Sequence, residues 1–324
     1  MPRPPLRRGP LSDWVVGAAT RDAPGPVPPV TSADAFDDDF QLALYLAQEV
    51  HFSDVPGFLP NLDCDPILLA FRARLEWALV ERLRAERPPY RARADLRSEV
   101  QAAVDGAEGP SLSCFVQDHA TLPLVCEVVK HRSPYQLKEA DAHTLAIPHL
   151  RGAPKQYLAR IQAGEYGVDE PRAGRRAHAA LFGEVMVALG LDAGLHAYLD
   201  ELPGSALGIS TLVSTFGLSR HHRGALVGHL ATFELTSVEP MRRYANALRR
   251  LGAPPAATRF YDVHVLADAE HERLALELAQ ALVADEPRLR DDVMLGVCSA
   301  LLAERHFSAT LFAHPYARAA HPAA

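Results

Sequence analysis

The sequence predicts an all-α protein. Apolar residues recur at helical spacing along most of the 324 residues, and no alternating strand pattern bounded by turns is present. The intervals between the apolar runs are short and rich in Gly and Pro. With 48% hydrophobic residues, the chain is long enough to bury a substantial core.

Residues 1–34 read as a disordered lead. Eight prolines fall in the first thirty positions, and Arg3, Arg7 and Arg8 make the start basic. The pattern turns helical at Phe36. Asp37, Asp38 and Asp39 supply negative charge at a helix start, and the run 40–51 is apolar at 40, 42, 44, 46 and 50. A second helix is expected over about 66–84, before Pro88-Pro89, and a third over 95–104, before Gly106 and Gly109-Pro110. Beyond Pro110, helices are expected near 112–119, 121–144, 153–165, 175–190, 192–200, 222–236, 238–251, 255–284 and 287–306. The 255–284 helix is the clearest, because Pro254-Pro255 suits its first turn. The segment 204–218 reads either as a buried helix or as a pocket-lining bend. The expected organisation is a lead over 1–34, accessory helices over 35–109, a helical core over 110–308 and a tail over 309–324.

Composition excludes several classes. A net charge of −7 argues against a general nucleic-acid binder. No apolar run reaches the ~18 residues of a membrane span, and the first thirty residues carry no secretory apolar core. The cysteines at 64, 114, 126 and 298 form no CxxC pair, hence neither a disulfide framework nor a cysteine zinc site. A reducing, cytoplasmic compartment is the expectation.

Chemistry concentrates on the 255–284 helix. His264, Asp268 and His271 stand at i, i+4 and i+7, within roughly 60° of one another on one face. Val265, Leu266, Ala267 and Ala269 make the surrounding helix apolar nearly all round, as in a buried helix. Imidazole, carboxylate and imidazole suit iron, manganese or zinc, although an exposed polar stripe would share the spacing. One helix cannot complete such a site, so carboxylates and histidines from other helices must face it. Glu234 and His178 lie in apolar runs, Glu165 ends a helix, and Glu139 sits between Lys138 and Asp141. His229 reads as a core residue.

The strings HRSPYQLKEADAHT (131–144), GEYG (164–167), AHAALF (177–182), HLATFELTS (229–237) and FYDVHVLADAEH (260–271) together resemble the haem-oxygenase-like di-iron proteins, the bacterial iron-containing redox enzyme group. The resemblance is close over roughly 110–305 and looser over 36–105. It implies a haem-oxygenase-like helical bundle with additional N-terminal helices. It also implies metal ligands at Glu139, Glu165, His178, Glu234, His264, Asp268 and His271, holding two Fe(II)/Fe(III) ions, with dioxygen as co-substrate and no haem. The stretch between Glu165 and His178 is longer than the family usually has, and its Glu170 competes with Glu165. Helix order and the family pattern pair Glu165, His178, Glu234 and His271 on one iron, and Glu139, His264 and Asp268 on the other.

The implied function is a non-haem di-iron, dioxygen-dependent oxidase or oxygenase. Its small-molecule substrate would be amino-acid-like or fatty-acid-like, oxidised by N-oxygenation, desaturation or oxidative C–C cleavage in a natural-product pathway. An external electron donor and a homodimer are compatible with this reading; a nucleic-acid or membrane partner is not expected. The alternatives are a cofactor-independent or quinone-type oxidase of the same fold and a non-catalytic helical interaction module. The seven candidate ligands argue against both.

Overall fold

Helices form along nearly every stretch where apolar residues recur at three- and four-residue intervals. The computed structural model describes residues 3–20, 22, 25–87, 95–168 and 176–320, the side chains of Ala33, Asp268 and Ala269 excepted. Among these residues are 14 α-helices and no strand, the haem-oxygenase-like all-α bundle that the sequence predicts. None of these helices is long and apolar enough to cross a membrane.

The N-terminal layer holds α1 (Pro10–Ala19), α2 (Asp38–Glu49), α3 (Pro66–Glu86) and α4 (Leu96–Asp105). Helix α1 lies inside the segment expected to be disordered. Trp14, Val15, Val16 and Ala19 bury its apolar face in the core, and the prolines cluster on either side of it. Its start is capped from another helix: Asp39 accepts from Leu11 N (2.9 Å) and Ser12 N (2.8 Å). Such a cap is worth about 0.5–2 kcal/mol. Asp38 does the same for a distant helix start, accepting from Gly204 N at 2.5 Å. The acidic triplet thus serves α1 and the helix at Gly204 as well as its own.

The middle of the chain forms α5 (Leu112–His119), α6 (Leu122–Gln136), α7 (Glu139–Thr144), α8 (Gly152–Glu165), α9 (His178–Ala188) and α10 (Gly204–Gly217). The single helix expected over 121–144 is broken at Leu137–Lys138. Lys138 leaves helical geometry (φ −148°, ψ 21°), and its ammonium pairs with the buried Glu49 carboxylate between the rings of Tyr45 and Phe52. Removing one partner of such a buried pair costs about 3–5 kcal/mol. The break restarts the helix at Glu139. The helix expected over 192–200 is instead a series of turns. Asp192 accepts from Gly194 N (2.8 Å), a local hydrogen bond that competes with helix. The 204–218 segment is a helix, buried along most of its length against α2, α6, α7 and α13.

The C-terminal part holds α11 (Arg223–Arg250), α12 (Pro255–Asp285), α13 (Arg290–Ala313) and α14 (Pro315–Ala320). The two helices expected over 222–236 and 238–251 are one, running through Pro240. Extensive packing of α11 against α12 and α13 offsets the cost of the internal proline. Helices α11 and α13 meet at backbone contact: a Cβ on Gly228 would collide with the Val293 carbonyl, and one on Gly296 with that of Ala225. Helix α13 and α14 extend order well into the expected tail. One continuous apolar cluster runs from Leu11 to Ala317, so the expected lead, accessory helices, core and tail share a single interior.

Candidate metal centre

Five side chains converge from four helices. Glu165 is the last residue of α8, His178 the first of α9, Glu234 lies in mid-α11, and His264 and His271 project from α12. All five are buried. The turn after α8 depends on Gly167, whose φ of 68° suits glycine, and whose missing side chain lets the backbone of Arg176 and Ala177 pass at close range. That return delivers His178 beside Glu165. Tyr166 fixes the same corner, donating to Asp141 (2.9 Å) and lying 3.0 Å from Thr144 Oγ1.

The donor atoms form two groups that share Glu165. Glu165, His178 and His264 make one; Glu165, Glu234 and His271 make the other; within each, all ligand atoms lie within 4.8 Å of one another. In the first, His178 Nδ1 is 2.9 Å from Glu165 Oε2 and 2.8 Å from His264 Nε2. In the second, His271 Nδ1 is 3.1 Å from Glu165 Oε1 and 3.6 Å from Glu234 Oε1. The two oxygens of Glu165 therefore face different groups.

The hydrogen bonds around the imidazoles dictate which nitrogen is free. His264 Nδ1 donates to the Phe260 carbonyl (2.6 Å), one helical turn back, leaving Nε2 with its lone pair. His178 Nε2 faces two acceptors, Gln136 Oε1 at 2.5 Å and Glu139 Oε2 at 3.2 Å, so the neutral ring carries its proton there and Nδ1 holds the lone pair. The two free nitrogens then face each other at 2.8 Å with a carboxylate oxygen alongside. Lone pairs at this distance repel unless a proton or a metal cation lies between them. Glu165 Oε2 and His271 Nδ1 are likewise buried with no hydrogen bond of proper geometry. Orphaned, convergent oxygen and nitrogen donors are what a metal requires, and this donor set suits iron.

The electrostatics follow. Burial pushes the Glu165 carboxyl upward, but the imidazole of His178 when a proton lies on its Nδ1, together with that of His271, outweighs it and holds the group well below the usual carboxylate range. Burial lowers His271, yet Glu165 and Glu234 overcome that and push it up to about 11. Burial, with His178 nearby, lowers His264 to about 4. The first group thus holds neutral His264, and the second an imidazolium between carboxylates.

The other candidates stand apart. Glu139 meets the opposite edge of the His178 ring from Glu165 and His264, and burial raises its carboxyl to about 7. The structure groups His178 with His264, not with Glu234 and His271 as the expected pairing had it. The Asp268 side chain and Glu170 lie outside the described residues. Sequence reasoning gave no role to Gln136, which holds His178, or to the Phe260 carbonyl, which holds His264. A polar residue three positions before Glu139, inside a buried turn, was the one signal for Gln136. Beneath Glu139, His143 and His229 form a buried imidazole pair (3.1 Å), both lowered by burial.

A cavity of about 180 Å³ opens onto Glu165, His178, His264 and His271, with Arg176 and Arg259 beside it. Its lining thus includes four of the five converging groups.

The sequence model of the iron-containing redox enzymes matches residues 126–305, more than half of the chain, and every donor described above lies within the match. The chain belongs to that family and is an oxidoreductase. No curated protein matches the sequence.

Proposed function

We propose that this member of the iron-containing redox enzymes uses dioxygen to oxidise a small organic molecule, amino-acid-like or fatty-acid-like, in a biosynthetic pathway, with two iron ions that the donors around Glu165 would hold. The observation that carries the reading is the pair of His-and-carboxylate groups sharing one carboxylate. One position would be held by Glu165, His178 and His264, the other by Glu165, Glu234 and His271, with Asp268 and Glu139 as further ligands. Bound iron supplies the reversible one-electron chemistry that lets dioxygen react with an organic molecule.

The rest is the work of the chain. Glu165 ties the two positions together at the end of α8. Phe260 and Gln136 fix the tautomers of His264 and His178, so that each presents a lone pair inward without rotating. The rings of Phe182 and Phe260 pack edge-on against each other, and Phe260 against His178, keeping water from that side of the centre. The Glu139 carboxyl, near neutrality, can hold a proton beside His178 Nε2. Electrons beyond those the substrate provides would come from an external donor.

Anaerobic titration with Fe(II) tests the reading. Two ions per chain should bind, with Mössbauer signals of two inequivalent sites, and dioxygen uptake should accelerate with at least one member of an amino-acid and fatty-acid panel. A chain that takes up no iron under these conditions refutes it.

A further inference from the structure

A second cavity, of about 660 Å³, lies between α5, α6, α11, α12 and α13. That volume suits an organic molecule of moderate size. Its walls are largely aromatic and aliphatic, among them Phe182, Phe233, Met241, Phe260 and Phe312. The charged lining residues offer no free charge in the interior. Arg132 is held bidentately by Glu304 (2.5 and 2.7 Å), and Glu108 and Arg305 are exposed to solvent. A charged guest would lose its hydration with no counter-charge to replace it.

This cavity backs directly onto the metal-facing imidazoles. Phe260 lines it, packs against His264 with the rings tilted at 40° and their centroids 4.1 Å apart, and meets His178 edge-on at 4.9 Å. Gln136 lines it too, at the end of α6, and its carbonyl oxygen accepts from His178 Nε2. The carboxamide nitrogen of Gln136 has no hydrogen-bond partner among the described residues. One amide therefore has its oxygen committed to a candidate ligand and its donors open towards the cavity. His178 Nε2 also has a second acceptor in reach, Glu139 Oε2 at 3.2 Å.

We propose that this cavity takes a neutral, hydrocarbon-rich molecule bearing one oxygen acceptor, and that Gln136 couples its arrival to His178. The guest's oxygen accepts from the Gln136 carboxamide. A bond on the nitrogen polarises the amide and strengthens the bond its oxygen accepts from His178. A guest that draws Gln136 away hands Nε2–H to Glu139 instead. Either movement re-aims the lone pair on Nδ1, so Gln136 is a positioning residue that acts through His178. The coupling rests on the metal reading above; the cavity's choice of guest does not.

The test uses prodan, a neutral naphthyl ketone whose emission shifts to the blue in apolar surroundings, and anilinonaphthalene sulfonate, an anion with a similar ring system. In the metal-free chain, prodan should bind once per chain and the anion at least about tenfold more weakly, a difference of about 1.4 kcal/mol. Met241→Trp, which fills the cavity, should weaken prodan about tenfold or more while circular dichroism and Co(II) uptake stay unchanged. In the Co(II)-loaded chain, saturating prodan should shift the visible ligand-field bands. Gln136→Leu should still bind Co(II) but lose that shift. Gln136→Glu puts a stronger acceptor beside His178 and removes the amide donors, so it should itself shift the starting spectrum and bind prodan more weakly, with no further shift on adding prodan. Equal binding of the two probes, or binding indifferent to Met241→Trp, overturns the assignment of the guest. A shift that survives Gln136→Leu overturns the coupling. A chain that takes up no Co(II) overturns the coupling together with the metal reading, while the metal-free titration still decides the cavity.

Discussion

The two donor groups that share Glu165 differ in how they manage without metal. Around His264 and His178, neighbouring acceptors hold the ring protons on the outward side, and inward-facing lone pairs oppose each other. Around His271, a proton already does a cation's job, balancing Glu165 and Glu234. The first group is pre-shaped and electrostatically frustrated; the second is balanced in charge and must be discharged before it can ligate. One carboxylate joins two positions whose costs of metal uptake have different origins.

The strongest way to break this comparison is to remove what the two groups have in common. Glu165→Ala should reduce iron uptake from two ions per chain to below one, read by anaerobic titration. If one ion remains fully bound, Glu165 is not shared. Next come single-group variants. His264→Ala and His271→Ala should each leave about one ion, and the Mössbauer signal that survives should differ between the two proteins. An identical residual signal would mean that the two groups act as one site.

A smaller effect separates the groups by pH. Metal must expel the proton of His271, so affinity at that position should rise about tenfold per pH unit between pH 6 and 8. His264, lowered to about 4, is neutral throughout this range, so affinity at its position should change little. Titrations at several pH values on the His264→Ala and His271→Ala proteins isolate the two slopes. Parallel slopes would contradict the contrast.

The smallest effect concerns the metal-free fold. The raised pKa of His271 stabilises the folded chain below about pH 6.5, and that stability drains away as pH climbs towards 11, by about 1.4 kcal/mol per unit at most. His264 and His143, both lowered to about 4, act in the opposite sense: stability falls as pH drops from 6.5 towards 4. Thermal midpoints of the metal-free protein should decline on both flanks, and His271→Gln should flatten the alkaline flank alone. An unchanged alkaline flank in that variant removes the charge assigned to His271.

How much of this the sequence carried depends on how far apart the cooperating residues lie. His264 and His271 are two turns apart on one helix, so their common face follows from spacing alone. Glu165, His178 and Glu234 come from three other helices; their apolar surroundings or helix-end position made them candidates, and the likeness to family strings joined them into one set. Their grouping around Glu165 depends on where α8 ends and α9 begins, which no local pattern specifies. The break before Glu139 was invisible because its cause, Glu49, is 89 residues away. Helix α1 was masked by prolines that flank it, although its apolar run was in plain view. The split expected between 236 and 238 is absent, and α11 continues as one helix packed on α12 and α13.

The caps and cross-links between α2 and α10 bear on what counts as an autonomous unit. Asp38 closes the start of α10, Gln41 accepts from Thr211 (2.6 Å), and Gln48 donates to Thr215 (2.9 Å). All three α10 partners lie inside the matched stretch 126–305, whereas α2 lies outside it. An excised 126–305 fragment would keep every convergent donor yet strip a row of buried hydroxyls and a helix terminus of their complements. It would also release Lys138 from Glu49, next to Glu139. The stretch that identifies the family is thus shorter than the stretch whose buried polar groups complete one another in this chain.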